Sequence, residues 1–361
     1  MNSSFFKKYI LPGIIFQSVL IAGGYGTGRE LVEYFMKYGP LGGILGMFTV
    51  TLVTWSIVLA VTFEFSRKFR AYDYRTFFMK LIGPFWPIFE ILYLITMLIV
   101  LAVIGSAAGI ILRDSFGIPY IVGVIIILAS IGFLTFKGTS LIEKILSGWS
   151  FFIYVVYTLF LIVALLKFGP QIQKNLLSGV IVSEWIEGGF KYALYNMSVI
   201  TAVFFCLTHI ETRREAISAG FLGALIGILP AFLFYVSVLG QYPDVISEEV
   251  PAIFMLQKAG VPSMMILFQI ALFGTLIETG TGFIHAVNER IQSALHARGK
   301  EFPSWQRPIV ALAFLLVSLG ISTFGLINLV AKGYGNLSIG FFFVFFLPLM
   351  TIGVYKVFRR S

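Results

Sequence analysis

Ten runs of mostly apolar residues, bounded by charges or by Gly and Pro, follow one another along almost the whole chain. They cover 9–35, 40–65, 83–112, 118–136, 142–168, 186–209, 214–240, 262–293, 305–325 and 335–358. A helix needs about 20 apolar residues to cross the hydrocarbon of a bilayer, and these runs match that length. Inside hydrocarbon each backbone N–H and C=O must find its partner within protein, which restricts spanning structures to helices or closed barrels, and runs of this length select helices. Composition agrees: 58% hydrophobic residues, 12% charged residues and 38 Phe in 361 positions leave too little polar surface to cover a soluble globule. The expectation is an all-α polytopic membrane protein, a single transmembrane domain over 1–361 with the lipid bilayer as its first partner.

Charge tests the count. With an even number of spans, eighteen of the 26 Lys and Arg fall on the side of the termini, among them Lys7, Lys8, Arg67, Arg213, Arg290 and Lys356. Only Arg29, Lys37, Arg113, Lys167, Lys174, Lys191, Lys258 and Lys332 fall on the other. Cytoplasmic loops collect Lys and Arg, so the split places both termini in the cytoplasm and the protein in the cell membrane as a multi-pass chain. The same rule accounts for the net charge of +9 without a nucleic-acid partner. Lys7-Lys8 ahead of an apolar stretch has the look of a secretion signal, but the apolar pattern resumes through Leu31-Val32 and Tyr34-Phe35, as expected of a first span. Loops 66–82, 169–185, 241–261 and 294–304 are too short to fold alone, and the single Cys206 has no disulfide partner.

Two spans are interrupted. In the first, Gly23-Gly24-Tyr25-Gly26-Thr27-Gly28 breaks the apolar run and is followed at once by Arg29 and Glu30. In the sixth, Tyr195-Asn196-Met197-Ser198 lies about halfway across. Splitting ten spans at 169–185 gives repeats of five, 9–168 and 186–358, and because five is odd the second is inverted. The two breaks then converge on the membrane midplane, where unwound backbone offers hydrogen-bonding groups to a solute. Four glycines in six residues forfeit about 1 kcal/mol of helix propensity each. The outer half-helix, starting near Thr27 or Gly28, would point its positive end at the gap, favouring an anionic group. Close helix packing is the competing role for these glycines, although such packing wants them four apart on one face.

The string GGYGTGREL at 23–31, YNMSVITAV at 195–203 and FGTLIETGTGFIHAVNERI at 273–291 resemble the LeuT-fold (amino acid, polyamine and organocation) superfamily, and within it the YkvI-like group of bacterial membrane proteins, over essentially the whole chain. The resemblance implies a pocket between broken spans 1 and 6, with Gly23, Gly24, Tyr25, Gly26, Thr27, Gly28, Tyr195, Asn196 and Ser198 around the substrate. It also implies a sodium site between spans 1 and 8. Span 6 departs from the pattern in having no glycine or proline at its break, which leaves its unwinding open.

Span 8 carries a second constellation. Thr275, Glu278, Thr279, Gly282 and His285 recur at helical spacing on one face, with Glu278 deep in the apolar run, where a carboxylate marks an ion path, a proton site or a ligand contact. Hydroxyl, carboxylate and carbonyl oxygens suit a hard cation. By the resemblance, Thr275, Glu278 and Thr279 face backbone carbonyls around Ala22 and Tyr25 to hold the coupling ion, Na⁺ or H⁺, with no other cofactor or metal. A protonated, purely structural Glu278 is the alternative, and His285 is either an interfacial histidine or a proton relay. Arg29, Glu30 and Glu90 are gate or pathway candidates, with an interfacial Arg29–Glu30 ion pair and a snorkelling Glu90 as the plainer readings. Ser247 through Gly260 reads as a short external helix, either a lid or an interfacial helix.

Function then narrows to an alternating-access symporter of a small zwitterionic or anionic solute, an amino acid or related metabolite, with a membrane receptor using the same pocket as the alternative. An enzyme or channel lacks support: there is no HExxH cluster, no Ser/His dyad and no continuous polar stripe.

Overall fold

The computed structural model describes residues 3–21, 23–137, 149–296, 299–303 and 305–359. Among them the chain is mostly helical, with no strand. In chain order, α1 covers 3–34 in two halves and α2 runs Pro40–Phe69. Then come α3 Trp86–Phe116, α4 Tyr120–Lys137, α5 Trp149–Leu177, α6 Trp185–His209 and α7 Arg213–Leu239. The last three are α8 Pro262–His296, α9 Gln306–Ser322 and α10 Leu326–Phe358. Among the described residues seven helices (α2, α3 with its preceding turn, α5, α6, α7, α8 and α10) are long and apolar enough to cross a membrane, while α4 and α9 are shorter apolar helices. The start of the expected span at 142–168 lies partly outside the described residues.

Three boundaries differ from the sequence reading. Gly169-Pro170 reads as a terminator, yet α5 continues to Leu177 past a kink at Phe168 (φ −127°, ψ 16°). Pro170 removes one N–H and crowds the preceding turn, and the chain bends instead of ending. The helix α10 begins at Leu326, before Gly333 and Gly335, which sit in and after a π-helical turn. The short helix expected from Ser247 through Gly260 starts at Pro251, with proline supplying the first-turn geometry.

Lipid offers no hydrophobic drive between helices, so close backbone approach and buried polar staples hold the bundle. At Gly220 a Cβ would lie 2.4 Å from the Ala60 backbone nitrogen, which fixes α7 against α2. The Trp55 indole donates to the Ala193 carbonyl (3.1 Å) and the Thr51 hydroxyl to the Gly189 carbonyl (2.8 Å), tying α2 to α6. At one end of the bundle Lys8 bridges Glu211 and Glu215 (2.8 and 3.0 Å), beside the capping box that Thr212 and Glu215 form at the start of α7. Lys68 caps the carbonyls of Lys356, Val357 and Arg359 at that same end. Both ends of the chain therefore meet on one side. At the opposite end Arg29 and Arg113 reach the segment that follows α7.

Candidate substrate and ion site

The first half of α1 ends at Leu20, and Ile21 leaves helical geometry (φ −77°, ψ 71°). A single turn, Gly23–Thr27, follows, and Gly28 then takes the left-handed conformation (φ 82°) before Arg29–Tyr34. The glycine run thus makes two interruptions around a helical turn. A side chain at Gly28 would be strained there and would meet Phe234 at 2.8 Å. The Gly28 N–H is spent on the Tyr25 carbonyl (2.9 Å) and that of Arg29 on the Thr27 hydroxyl (3.2 Å). These two donors of the outer half-helix are consequently not offered to an anion. In α6 the α-helix gives way at Asn196 to a 3₁₀-helix running to His209. Such runs are normally three or four residues long, which makes this 14-residue stretch a candidate hinge. Span 6 therefore changes helix type where span 1 unwinds, as fits a break without Gly or Pro.

The two breaks meet at a small cavity of about 40 Å³ lined by Glu30, Tyr195, Asn196 and Ser198, with Tyr93 and Thr96 from α3 and Tyr334 from α10. Glu30 is 4% exposed. Its carboxylate accepts the Tyr195 hydroxyl proton and the backbone N–H of Tyr25, and it belongs to the pocket instead of pairing with Arg29. Hydrogen bonds to a charged group contribute about 1.5–3 kcal/mol each. Burying an ion costs several kcal/mol, so two neutral donors offset only part of the desolvation of a carboxylate. The hydroxyls of Tyr25 and Tyr157, both buried beside the break, have no hydrogen-bond partner. Native interiors leave few such groups; these two line neither cavity, and their rings pack against Phe234.

A larger cavity of about 390 Å³ lies toward the Lys8 end, lined by Ser18, Val19 and Ile21 of α1, Tyr93, Tyr154, and Thr275, Glu278, Thr279 and Gly282 of α8. Four of the five span-8 residues singled out by spacing thus share one cavity with the end of the inner half-helix. His285 is half-buried and lies outside both cavities. Thr275 is buried, and its hydroxyl donates to the Ala271 carbonyl (2.8 Å), leaving its oxygen lone pairs for a cation.

Several expected residues sit elsewhere. Ala22 lies outside the described residues, and only the backbone of Gly23 and Gly24 is described. Gly26 faces protein: a Cβ there would meet Leu272 at 2.8 Å and the Tyr157 hydroxyl at 3.2 Å. Thr27 is buried and its oxygen caps Arg29. Arg29 does not pair with Glu30. It bridges Glu33 (2.9 Å) and the carbonyls of Ile246 and Glu248 (2.8 and 2.9 Å), fastening the outer half of α1 to the external segment. Lys37 also pairs with Glu33. Glu90 does not snorkel: it pairs with Arg290 (2.8 Å), whose guanidinium lies 3.8 Å from the ring centres of both Tyr74 and Tyr93. The sequence reading missed Tyr93, which lines both cavities, and Tyr334. A tyrosine inside an apolar helix is the available signal, since its hydroxyl needs a partner there.

Among the described residues the chain is an all-helical bundle with seven membrane-length helices and two cavities at a broken first helix, and it has the fold of a membrane transporter. Solved structures of the Eremococcus coleocola manganese transporter share it. The complex with an aromatic bis-isothiourea substituted compound superposes with a TM-score of 0.55 at 17% identity, covering 97% of this chain and 79% of that one. A point mutant gives 0.55 at 16% identity, covering 100% and 83%. By sequence the chain is 25% identical over 350 residues to the uncharacterized membrane protein YkvI of Bacillus subtilis (strain 168), covering 91% of this chain and 92% of that protein. No protein-family model matches the sequence.

Proposed function

We propose that this protein is a secondary active transporter that moves a small polar solute, an amino acid or related metabolite, by alternating access, coupled to Na⁺ or H⁺. The observation that carries this reading is the pair of adjoining cavities at the α1 break, each holding one carboxylate, Glu30 in the smaller and Glu278 in the larger. A carboxylate at that depth is expensive and is retained where ions or protons pass. The smaller cavity, about 40 Å³ in this state, takes the solute once it widens. The larger takes the coupling ion, between the end of the inner half-helix and the oxygens of Thr275, Glu278 and Thr279. In this reading the bundle comprises ten spans in two inverted repeats of five, led by the broken helices α1 and α6, and the Lys8 end faces the cytoplasm. The charge split and the meeting of both chain ends on one side support that orientation.

Uptake into proteoliposomes under imposed sodium and proton gradients, applied separately, tests it. Accumulation driven by one gradient is expected. Saturable binding of a solute with no uptake under either gradient would select a receptor instead.

A further inference from the structure

Where α2, α7 and the end of α10 meet at the Lys8 end, they leave a cavity of about 330 Å³ between Ile57, Ala60 and Val61 of α2, Ile217 and Phe221 of α7, and Phe358 of α10. Ile57, Ile217, Phe221 and Phe358 are exposed, so the cavity opens on the flank of the bundle, and it shares no lining residue with the two cavities at the α1 break. Ser56 and Glu64, its limits on α2, stand about 12 Å apart along the helix. The Phe358 wall is fixed, because Lys68 caps the carbonyls of Lys356, Val357 and Arg359. On the flank of a membrane bundle, an apolar slot of this length is filled by hydrocarbon in preference to water.

The polar groups of the slot leave one cation unspent. The Ser56 hydroxyl donates to the Leu52 carbonyl (2.7 Å), and the two Glu64 oxygens accept from Arg67 (2.7 and 2.8 Å). Glu211 and Glu215, at the start of α7, are held by Lys8. Arg213 lies at the mouth and pairs with no carboxylate among the described residues; its guanidinium stands 4.1 Å from the centre of the Phe358 ring, which holds it over the slot. A planar guanidinium without an acid partner is a phosphate binder, and the hydrocarbon slot beside it selects an amphiphile over a free anion.

We propose that this cavity binds an anionic phospholipid of the leaflet at the Lys8 end, with an acyl chain along α2 and α7 and the headgroup phosphate on Arg213. A zwitterionic lipid offers the same phosphate, but its ammonium would lie beside Arg213 and Arg214 with no free carboxylate to meet it, since Glu64, Glu211 and Glu215 are already paired. The proposal stands apart from the carrier reading and needs only a bilayer around the bundle.

The test is native mass spectrometry of the purified full chain, delipidated in detergent and titrated with dioleoyl phosphatidylglycerol, dioleoyl phosphatidylcholine or glycerol phosphate. Phosphatidylglycerol should bind about fivefold more tightly than phosphatidylcholine, and glycerol phosphate should give no adduct. Arg213→Gln should weaken phosphatidylglycerol binding by about fivefold. Arg214→Gln removes the same charge about 100° further round α7 and should change it less than about twofold. Ala60→Leu keeps every charge but fills the slot, and should weaken phosphatidylglycerol binding by at least about threefold. The arginine and alanine variants act on different parts of the site, so a fold defect in one leaves the other decisive. Equal affinity for the two lipids, equal losses in the two arginine variants, or wild-type phosphatidylglycerol binding in Ala60→Leu overturns the proposal. Glycerol phosphate binding as tightly as the lipid also overturns it, because Arg213 would then mark an anion site with no role for the slot.

Discussion

Glu30 lines the smaller cavity and Glu278 the larger, and each is legible in the sequence to a different degree. Glu278 declares itself by helical spacing with Thr275, Thr279 and Gly282, because a polar face inside an apolar run has few explanations in a membrane, and these residues do share one cavity. Glu30 follows Gly28 and Arg29 directly, and adjacency to Arg29 leaves a gate and an interfacial ion pair both open in the sequence. Arg29 and Glu30 are successive residues of one helical turn and point about 100° apart around its axis, so Arg29 reaches the Ile246 and Glu248 carbonyls while Glu30 faces Tyr195. Helical spacing separates the two side chains, but which of them meets Tyr195 depends on the packing of α6 against this turn. Glu278→Gln should abolish ion-driven accumulation while leaving a normally folded protein, since it keeps volume and removes the ionisable group. Retained accumulation with wild-type sodium and proton dependence would make Glu278 structural. Gly28→Ala should lower stability by about 1–3 kcal/mol, from the left-handed conformation and from contact with Phe234. An unfolding midpoint equal to the wild type's would show that the turn adapts.

At the scale of elements, apolar run length located the helices well because bilayer thickness sets that length independently of packing. Terminators were less reliable. Gly169-Pro170 bends α5 and Gly333 lies within a π-turn of α10, because neighbouring helices can re-satisfy the backbone groups that such residues free. The α6 break left no Gly or Pro signature because a 3₁₀ segment needs neither: it tightens the hydrogen-bond ladder without opening it. The external helix Pro251–Ala259 was legible, but its attachment was not, since that depends on the reach of Arg29 to the carbonyls of Ile246 and Glu248. Arg29→Met should therefore release this segment selectively. Amide exchange across 244–259 should quicken by about tenfold or more, the loss of charge-assisted bonds, while α2 stays protected. Uniform protection in the variant would mean that the segment is held by its apolar packing alone.

For the molecule as a whole, alternating access requires a closure at each end that opens when the other is shut. The Arg29 end is closed by the external segment and by the aromatic packing of Tyr25, Tyr157 and Phe160 around Phe234. Toward the Lys8 end the corresponding contact is Arg290, paired with Glu90 and lying against Tyr74 and Tyr93. Tyr93 also lines both cavities, so the occupant of the site and this latch touch the same side chain. Under the proposed transport cycle, a solute that shifts Tyr93 would alter this contact, the differential interaction that coupling needs. Gly282 reports on the latch because it is exposed in the larger cavity and a Cβ there meets nothing within 4 Å. In a background with Cys206, the buried native thiol, changed to Ser, a Gly282→Cys variant should react with an impermeant maleimide applied from the Lys8 side in inside-out vesicles. Adding Arg290→Gln should raise that rate by roughly fivefold or more, the effect of a coupling of about 1 kcal/mol. Adding Arg29→Gln, which loosens the other end, should leave the rate unchanged or lower it. If Arg290→Gln leaves labelling at the parent rate, the Glu90–Arg290 contact is a scaffold bond, and closure on that side lies elsewhere in the bundle.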